Sequence, residues 1–155
     1  MERHFTASVY ILKGEYTLLI FHPKFKKWLP PGGHVEPNES PAETARREVR
    51  EETGLEIEWI RDERIWISTP NAESFERPFA CLAEDVPTHA STPHHQHLDF
   101  IYLAKPVGQI TGAHPEHPMQ WFSLAEVETL ASNDAVFPDT KQMLTVILTL
   151  PLLKV

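Results

Sequence analysis

The sequence predicts a mixed α/β fold in which one β-sheet lies between helices. Strand-like runs of β-branched and aromatic residues surround a single sharply bounded internal helix, and further helices close the chain. The composition is that of an ordinary globular domain, with 41% hydrophobic and 23% charged residues. With 155 residues, the chain is predicted to form one domain over residues 1–155.

The first predicted element is a β-hairpin. The runs TASVYIL (6–12) and EYTLLIF (15–21) are separated by Lys13 and Gly14, which suit a two-residue turn because glycine readily adopts a positive φ. The proline- and glycine-rich passage that follows is predicted to be a loop at least from Pro30 to Gly33.

A helix with clear boundaries is predicted over residues 41–53. Ser40 is the N-cap candidate, Pro41 occupies the first helical position, and Glu43 completes a Ser-x-x-Glu capping box. Gly54 is predicted to end the helix at its C-terminus.

The rest of the chain is strand-like at first and helical towards its end. Ser123 and Glu126 form a second capping box before a short helix that reaches about Ala131, and Pro138 opens a last helix that Pro151 ends. This order indicates a mixed sheet with helices packed on both faces. The predicted strands are LEIEWI (55–60), RIWIS (64–68), PFACLAE (78–84), HLDFIYLA (97–104) and MQWF (119–122).

Charge and cysteine content exclude several classes of function. The chain has 14 Lys+Arg and 22 Asp+Glu, a net charge of −8, which disfavours DNA and anionic membranes as partners. Cys81 is the only cysteine, so an internal disulfide and a cysteine-rich zinc site are excluded. The N-terminus lacks a signal-peptide pattern and the longest apolar run, 144–153, is too short to span a bilayer, so the predicted location is cytoplasmic.

The predicted internal helix concentrates acidic side chains on one face. At about 100° per residue, Glu48, Glu51 and Glu52 fall within an arc of roughly 100°. Like charges at this spacing repel one another. Either the face is solvated beside neighbouring arginines, or the carboxylates bind a hard divalent cation such as Mg²⁺. The helix alone does not distinguish the two interpretations.

The residues on either side of the helix favour binding of a divalent cation. Together with the helix, they resemble the complete Nudix box. The box covers 23 residues, and the flanking strings WLPPGG and WFSLAEV are similar to the same family. The chain therefore resembles the MutT-like enzymes of the Nudix hydrolase superfamily. The matching positions are Gly33, Glu39, Arg47, Glu48, Val49, Glu51, Glu52, Gly54 and Leu55.

The resemblance implies an α/β/α sandwich and a hydrolase that uses Mg²⁺ or Mn²⁺ to cleave nucleoside diphosphates linked to another group. It implies that Arg47 and Glu39 brace the loop against the helix. It also implies that Gly33 lets the backbone approach the metal and the phosphate. The metal ligands implied are the Gly32 carbonyl and the carboxylates of Glu48, Glu51 and Glu52.

The general base is left open by the resemblance. Glu52 is a candidate within the box, and Glu116, which lies just before the MQWF strand, is the preferred downstream candidate. Three further carboxylates are weaker options: Glu73, Glu76 and Asp99.

Substrate contacts outside the box are also left open. Lys27, with Lys24 and Lys26, is predicted to contact phosphate or to belong to a solvated basic loop. His97 is predicted to line the substrate pocket, and in a strand it would share one face with His95 and Asp99. The group of His94, His95 and His97 could instead form a zinc site or an ordinary histidine cluster. The aromatic side chains that could stack on a base, or simply belong to the core, are Phe25, Trp28, Trp66 and Phe75.

The predicted function is hydrolysis of a phosphoanhydride bond in a small nucleotide: a nucleoside diphosphate linked to X, such as ADP-ribose or a nucleotide sugar, or a nucleoside triphosphate. The alternatives are an RNA 5′-end or cap pyrophosphohydrolase and a non-catalytic nucleotide sensor. The apolar C-terminal segment 143–153 leaves a homodimer open, although packing in the core is the simpler interpretation.

Overall fold

The computed structural model describes residues 1–150 of the chain. The three helices are α1 (Pro41–Thr53), α2 (Leu124–Thr129) and α3 (Pro138–Thr149). The ten strands are β1 (Arg3–Lys13), β2 (Tyr16–His22), β3 (Lys27–Leu29), β4 (Gly32–His34), β5 (Leu55–Ile60), β6 (Ser68–Thr69), β7 (Ala72–Glu73), β8 (Ala80–Val86), β9 (His95–Gln109) and β10 (Met119–Ser123).

Eight of these strands form one mixed sheet, as the sequence predicts. Its main path runs β10-β2-β1-β9-β5, and β3, β4 and β8 pair with β2, β1 and β9 respectively. The two central strands, β1 and β9, are parallel to each other, whereas the other pairs are antiparallel. The remaining two strands, β6 and β7, pair only with each other as a small separate hairpin.

Each central strand shares one of its edges between two partners. Along β1, residues 6–8 pair with β4 and residues 11–13 pair with β2. Along β9, residues 95–101 pair with β8, and β5 pairs with the stretch that begins at residue 103. The N-terminal halves of β1 and β9 therefore lie between β4 and β8, whereas their C-terminal halves lie between β2 and β5.

The two faces of the sheet carry separate apolar layers because side chains alternate along a strand. On one face, Ala7, Val9 and Ile11 of β1 pack with Ala42, Ala45 and Val49 of α1. On the other face, Tyr10 and Leu12 pack with Val127 of α2 and with Leu144 and Ile147 of α3. Helices thus cover both faces, which confirms the predicted architecture.

The hairpin and the internal helix form where the sequence predicts them. Gly14 has a φ of +59°, as the tight turn between β1 and β2 requires. The Ser40 hydroxyl accepts the Glu43 backbone N–H, and the Glu43 carboxylate accepts the Ser40 N–H, so the capping box is complete. Gly54 ends α1 in the left-handed conformation, with a φ of +72°.

Two local predictions are wrong. Gly32 and Gly33 are not loop residues, because they belong to β4 and pair with Ser8 and Ala7 of β1. In the predicted strand 64–68 only Ser68 is in a strand, while Ile65, Trp66 and Ile67 are exposed. In both places long-range pairing decides the structure: Gly32 and Gly33 gain a partner in β1, and 64–67 has none in the sheet.

The C-terminal region is close to the prediction. α2 ends at Thr129, two residues before the predicted Ala131, and α3 begins at Pro138 as predicted. α3 buries Leu144 and Ile147 in the core, which favours core packing over an exposed dimer helix. Pro151, the predicted stop, lies outside the described residues. Within residues 1–150, no helix has both the length and the apolar character that a bilayer span requires.

Candidate active site

The acidic face of α1 meets the two glycines of β4. Glu52 is buried, and its Oε1 accepts the backbone N–H of Gly32 at 2.8 Å. The other oxygen, Oε2, lies 3.5 Å from Nε2 of His117. Burial raises the pKa of Glu52 to about 8, and the nearby carboxylates of Glu48 and Glu116 act in the same direction. The last turn of α1 is therefore joined to β4 by a buried carboxyl group whose pKa is raised.

Arg47 connects the segment before the helix to the acidic face. Its Nε and Nη2 donate to the two carboxylate oxygens of Glu39, at 2.8 and 3.0 Å. Its Nη1 donates to Glu48 at 2.9 Å and to Glu51 at 3.4 Å. The hydrogen bonds from Arg47 hold the pKa of Glu39 below its usual range. One guanidinium thus fixes the positions of three carboxylates.

The three helix carboxylates differ in their exposure to solvent. Glu52 is buried, Glu48 is mostly shielded with 16% of its side chain exposed, and Glu51 is 47% exposed. Burial raises the pKa of Glu48, whereas Arg47 opposes that rise. Together with Glu116, which affects both Glu48 and Glu52, the face holds more negative charge than Arg47 neutralises. An all-oxygen donor set with excess negative charge is chemically suited to a hard divalent cation.

The two glycines are required by close packing. A Cβ on Gly33 would overlap the carboxylate of Glu48, and a Cβ on Gly32 would lie 2.5 Å from the carbonyl oxygen of Ala7. Neither position has space for a side chain. The absence of side chains here brings the β4 backbone against both the acidic face of α1 and strand β1.

A cavity of about 430 Å³ opens beside this face. Among the implied metal ligands and the box positions, the cavity is lined by Gly32, Gly33 and Glu52, and the predicted pocket residue His97 lines it as well. Its remaining wall comes mainly from β1, from the segment between β2 and β3, and from β8, β9 and the start of α3. These residues include His4, Thr6, Ser8, Tyr10, Lys24, Phe25, His34, Glu84, His95, Asp99, Phe137 and Asp139.

Among the three upstream lysines, Lys24 lines the cavity and Lys27 has other contacts. The Lys27 ammonium lies 4.9 Å from the ring centre of Phe137 and 3.4 Å from the carbonyl oxygen of Phe25. It does not belong to the cavity wall formed by the described residues. Lys24 is therefore the better placed of the two for a contact with phosphate.

The aromatic candidates for base stacking also differ in whether they line the cavity. Phe25 lines the cavity and packs edge-on against Phe137, with ring centres 5.6 Å apart. Trp28 packs against Phe122 beside the core, with ring centres 5.0 Å apart. Trp66 and Phe75 are exposed and lie outside the cavity wall formed by the described residues.

The downstream carboxylates also differ in position. Glu116 is more than half exposed and lies 4.0 Å from Nε2 of His117, the residue that also approaches Glu52. Glu73 accepts hydrogen bonds from Trp66 and Ser68 in the small hairpin, and Glu76 lies 3.9 Å from Arg61. Asp99 is buried in the cavity wall, where the hydroxyls of Thr6 and Ser8 donate to it at 2.9 and 2.7 Å.

The histidines of β9 line the cavity wall, as the alternation along the strand predicts. Nε2 of His95 lies 3.1 Å from Nε2 of His97, whereas His94 is exposed and lies near Asp85. Burial and the surrounding imidazoles lower the pKa of His97 to about 4.

Three histidines beside the site were not predicted as site residues from the sequence: His4, His34 and His117. His117 follows Glu116 directly, so it could have been considered together with it. His4 and His34 belong to different strands, and only the pairing of β1 with both β4 and β9 brings them to His97. No local pattern in the sequence indicates that pairing.

Comparisons with known proteins agree with this geometry. A family model described as NUDIX domain matches residues 2–141. The chain is similar to a solved NUDIX-family hydrolase from Clostridium perfringens, with a TM-score of 0.71 and 29% identity over 96% of this chain and 97% of that one. A NUDIX hydrolase from Nitrosomonas europaea, at 21% identity, has the same fold with a TM-score of 0.67 over 93% of this chain and 87% of that one.

Curated relatives match over shorter stretches. The chain is 34% identical over 104 residues to a probable DHNTP pyrophosphohydrolase of Lactococcus lactis subsp. cremoris (strain MG1363), covering 63% of this chain and 51% of that protein. It is 52% identical over 42 residues to an asymmetrical bis(5′-nucleosyl)-tetraphosphatase of Mus musculus, covering 27% of this chain and 29% of that protein. The chain thus spans about half the length of the first relative and less of the second.

The family model covers nearly the whole chain, and the acidic helix, the capped ends and the glycine strand lie at the positions where the sequence resembles the family motif. The chain therefore belongs to the NUDIX domain family.

Proposed function

We propose that this protein is a divalent-metal-dependent pyrophosphohydrolase that cleaves a phosphoanhydride bond in a small nucleotide. One observation carries the proposal. Glu52 and Glu48 contact the β4 glycines, Glu51 shares the Arg47 guanidinium with Glu48, and Glu52 and both glycines border a cavity of about 430 Å³. A cavity of this size suits a ligand of nucleotide dimensions.

The donor set fits Mg²⁺ or Mn²⁺, which prefer carboxylate and carbonyl oxygens. The ion would be held by Glu48, Glu51, Glu52 and the carbonyl of Gly32. When bound, such an ion supplies positive charge to the phosphate oxygens and lowers the pKa of a coordinated water.

The protein's own groups position the reactants. Arg47 holds Glu48 and Glu51 by hydrogen bonds and is itself held by both oxygens of Glu39. Gly33 has no side chain, so the β4 backbone packs directly against the carboxylate of Glu48, one of the proposed ligands. Lys24 adds a positive charge to the cavity wall.

The proton of the attacking water requires an acceptor, and the chain offers two candidates. If Glu52 is the acceptor, its Oε2 takes the proton, because Oε1 is fixed by the Gly32 N–H, and the ion would then be held by Glu48, Glu51 and the Gly32 carbonyl. Glu116 is more exposed and lies on the other side of His117. We favour Glu52, and Glu116 is the candidate to test against it.

The cavity and the relatives support a small nucleotide with a heterocyclic base as the substrate class. Phe25 and Phe137 provide an aromatic wall for a heterocycle, while Lys24 suits phosphate. Two relatives are named for DHNTP and for bis(5′-nucleosyl) tetraphosphate. Both compounds therefore belong in a substrate panel with nucleoside triphosphates, nucleotide sugars and ADP-ribose.

The test is product analysis on this panel with Mg²⁺ or Mn²⁺, for the wild type and a matched set of Glu→Gln variants. We expect Glu51→Gln and Glu52→Gln each to lower kcat at least about 100-fold while circular dichroism stays unchanged. Glu58→Gln is the control, because Glu58 is exposed and its nearest cation, Lys105, is 3.9 Å away. Wild-type turnover in both Glu51→Gln and Glu52→Gln would refute the site.

A second measurement separates the two base candidates. If Glu52 takes the proton, Glu116→Gln keeps kcat within a few-fold of the wild type. A loss of about 100-fold or more in Glu116→Gln would instead assign the base to Glu116.

A further inference from the structure

Four histidines from three strands meet in the cavity wall, outside the acidic face of α1. His4 lies on β1, His34 ends β4, and His95 and His97 begin β9. Because β1 and β9 are parallel, His4 and His97 are direct register partners, and β4 pairs with β1 two residues further along. We call these four residues the histidine cluster.

The rings of the cluster are spaced as metal ligands are. One ring nitrogen from each of His4, His34 and His97 lies within 4.8 Å of the others. Nδ1 of His4 and Nε2 of His34 are 3.3 Å apart. Two nitrogens on one tetrahedral Zn²⁺, each about 2.0–2.1 Å from the ion, are about 3.3 Å apart. His4 and His34 therefore already have the separation of two ligands on one ion, and a nitrogen of His97 lies within 4.8 Å of both.

Outer contacts orient two of the three rings. The Glu2 carboxylate lies 2.8 Å from Nε2 of His4, which places the proton on Nε2 and leaves a lone pair on Nδ1, the nitrogen that faces His34. Nδ1 of His95 donates to the carbonyl of Pro93 at 2.9 Å, so Nε2 of His95 accepts from Nε2 of His97. Nδ1 of His97 is then free. Histidine ligands of metals are commonly held in this way by a carboxylate, a carbonyl or another polar group.

The donor chemistry differs from that of the acidic face. Imidazole nitrogens suit zinc and similar transition metals, whereas the carboxylates of α1 suit Mg²⁺. We propose that His4, His34 and His97 bind a second divalent metal ion of the zinc class, at a site separate from the carboxylates of α1, with His95 as a positioning residue.

Three protein ligands leave one position open on a tetrahedral ion. The same cavity wall contains Gly33 and Glu52. The open position can therefore take water or an oxygen of a molecule in the cavity.

The test is a Co²⁺ titration of chelator-stripped protein that carries no histidine tag, in millimolar Mg²⁺ to occupy the oxygen sites. We expect one equivalent of Co²⁺ to give the intense visible absorption of a tetrahedral ion, and Zn²⁺ to abolish it. His34→Gln and His97→Gln are expected to weaken Co²⁺ binding at least about tenfold. His94→Gln is the matched control, because His94 adjoins His95 in sequence but is exposed and lies outside the cluster.

Two outcomes would overturn the proposal. The first is a wild-type protein whose Co²⁺ spectrum stays that of the aqueous ion, a result that needs no variant to fold. The second is a folded His97→Gln protein that binds Co²⁺ as the wild type does. Glu51→Gln is expected to keep the Co²⁺ signal, so the two metal sites are tested independently of each other.

Discussion

Glu39 shows how a residue outside the acidic face contributes to the candidate site. Its carboxylate accepts two hydrogen bonds from Arg47 and one from the hydroxyl of Thr44, at 2.8 to 3.0 Å. The same guanidinium holds Glu48 and Glu51. Removing the Glu39 charge would free Arg47 to turn towards the remaining acids, so stability and catalytic geometry are linked at this residue.

We therefore predict that Glu39→Gln lowers the free energy of unfolding at neutral pH by about 1–2 kcal/mol. Arg47 depresses the pKa of folded Glu39 below the ordinary value of 4.5, so this stabilisation exists above that pH and is lost as the pH falls through the folded pKa. Urea denaturation at several pH values from neutral to about pH 3 measures this change in the free energy of unfolding. Glu39→Gln should lose less stability below pH 4.5 than the wild type does, and Glu58→Gln is the control. Equal acid sensitivity in Glu39→Gln and the wild type would contradict the prediction.

The positions of the carboxylates on α1 could be predicted because helical spacing alone places Glu48, Glu51 and Glu52 together. Their different burial could not, since it depends on how α1 sits against β4. The histidine cluster was predicted only in part. Period-two spacing placed His95 and His97 on one face, but the contribution of His4 and His34 depends on strand pairing across the whole chain.

Among the elements, α1 was predicted most accurately because its boundaries are set by local chemistry. The capping box and the left-handed Gly54 satisfy backbone groups at each end within a few residues of sequence. β4 and residues 64–67 were mispredicted for the opposite reason. Gly32 and Gly33 have low strand propensity but pair with β1, while the alternating residues 64–67 have a strand-like pattern and no partner in the sheet.

At the scale of the element, we predict that Ser40→Ala destabilises the protein by about 1 kcal/mol. The hydroxyl of Ser40 accepts the Glu43 N–H at 3.2 Å, and alanine leaves that donor without its cap. Urea denaturation gives the free energy of unfolding. Ser40→Asp retains an acceptor and should stay within about half of that loss. Equal stability of Ser40→Ala and the wild type would show that the cap contributes nothing.

The net charge of −8 belongs to the whole molecule and opposes the approach of any polyphosphate. In the proposed function, bound cations reverse this repulsion locally. The sequence also predicts a single domain and a cytoplasmic location. Both stay predictions, as does a homodimer.

We predict that a non-hydrolysable nucleoside triphosphate analogue binds at least about tenfold more weakly once divalent cations are chelated. Isothermal titration calorimetry with and without Mg²⁺ measures the change in Kd. The corresponding uncharged nucleoside is the control, and its affinity should not depend on the cation. An analogue with the same Kd in both conditions would show that the protein alone neutralises the phosphates.

The parallel pairing of β1 with β9 also determines the order in which the site can form during folding. The contact between Thr6 and Asp99 joins residues 93 positions apart, so the chain must close a very long loop before this part of the sheet exists. Contacts of such long range are typical of slow steps in folding. Helix α1, with its complete set of carboxylates, can form early from local signals, but the cavity beside it is complete only after β9 has docked. A nascent chain that ends before β9 therefore carries the entire Nudix box without the cavity that lies beside it.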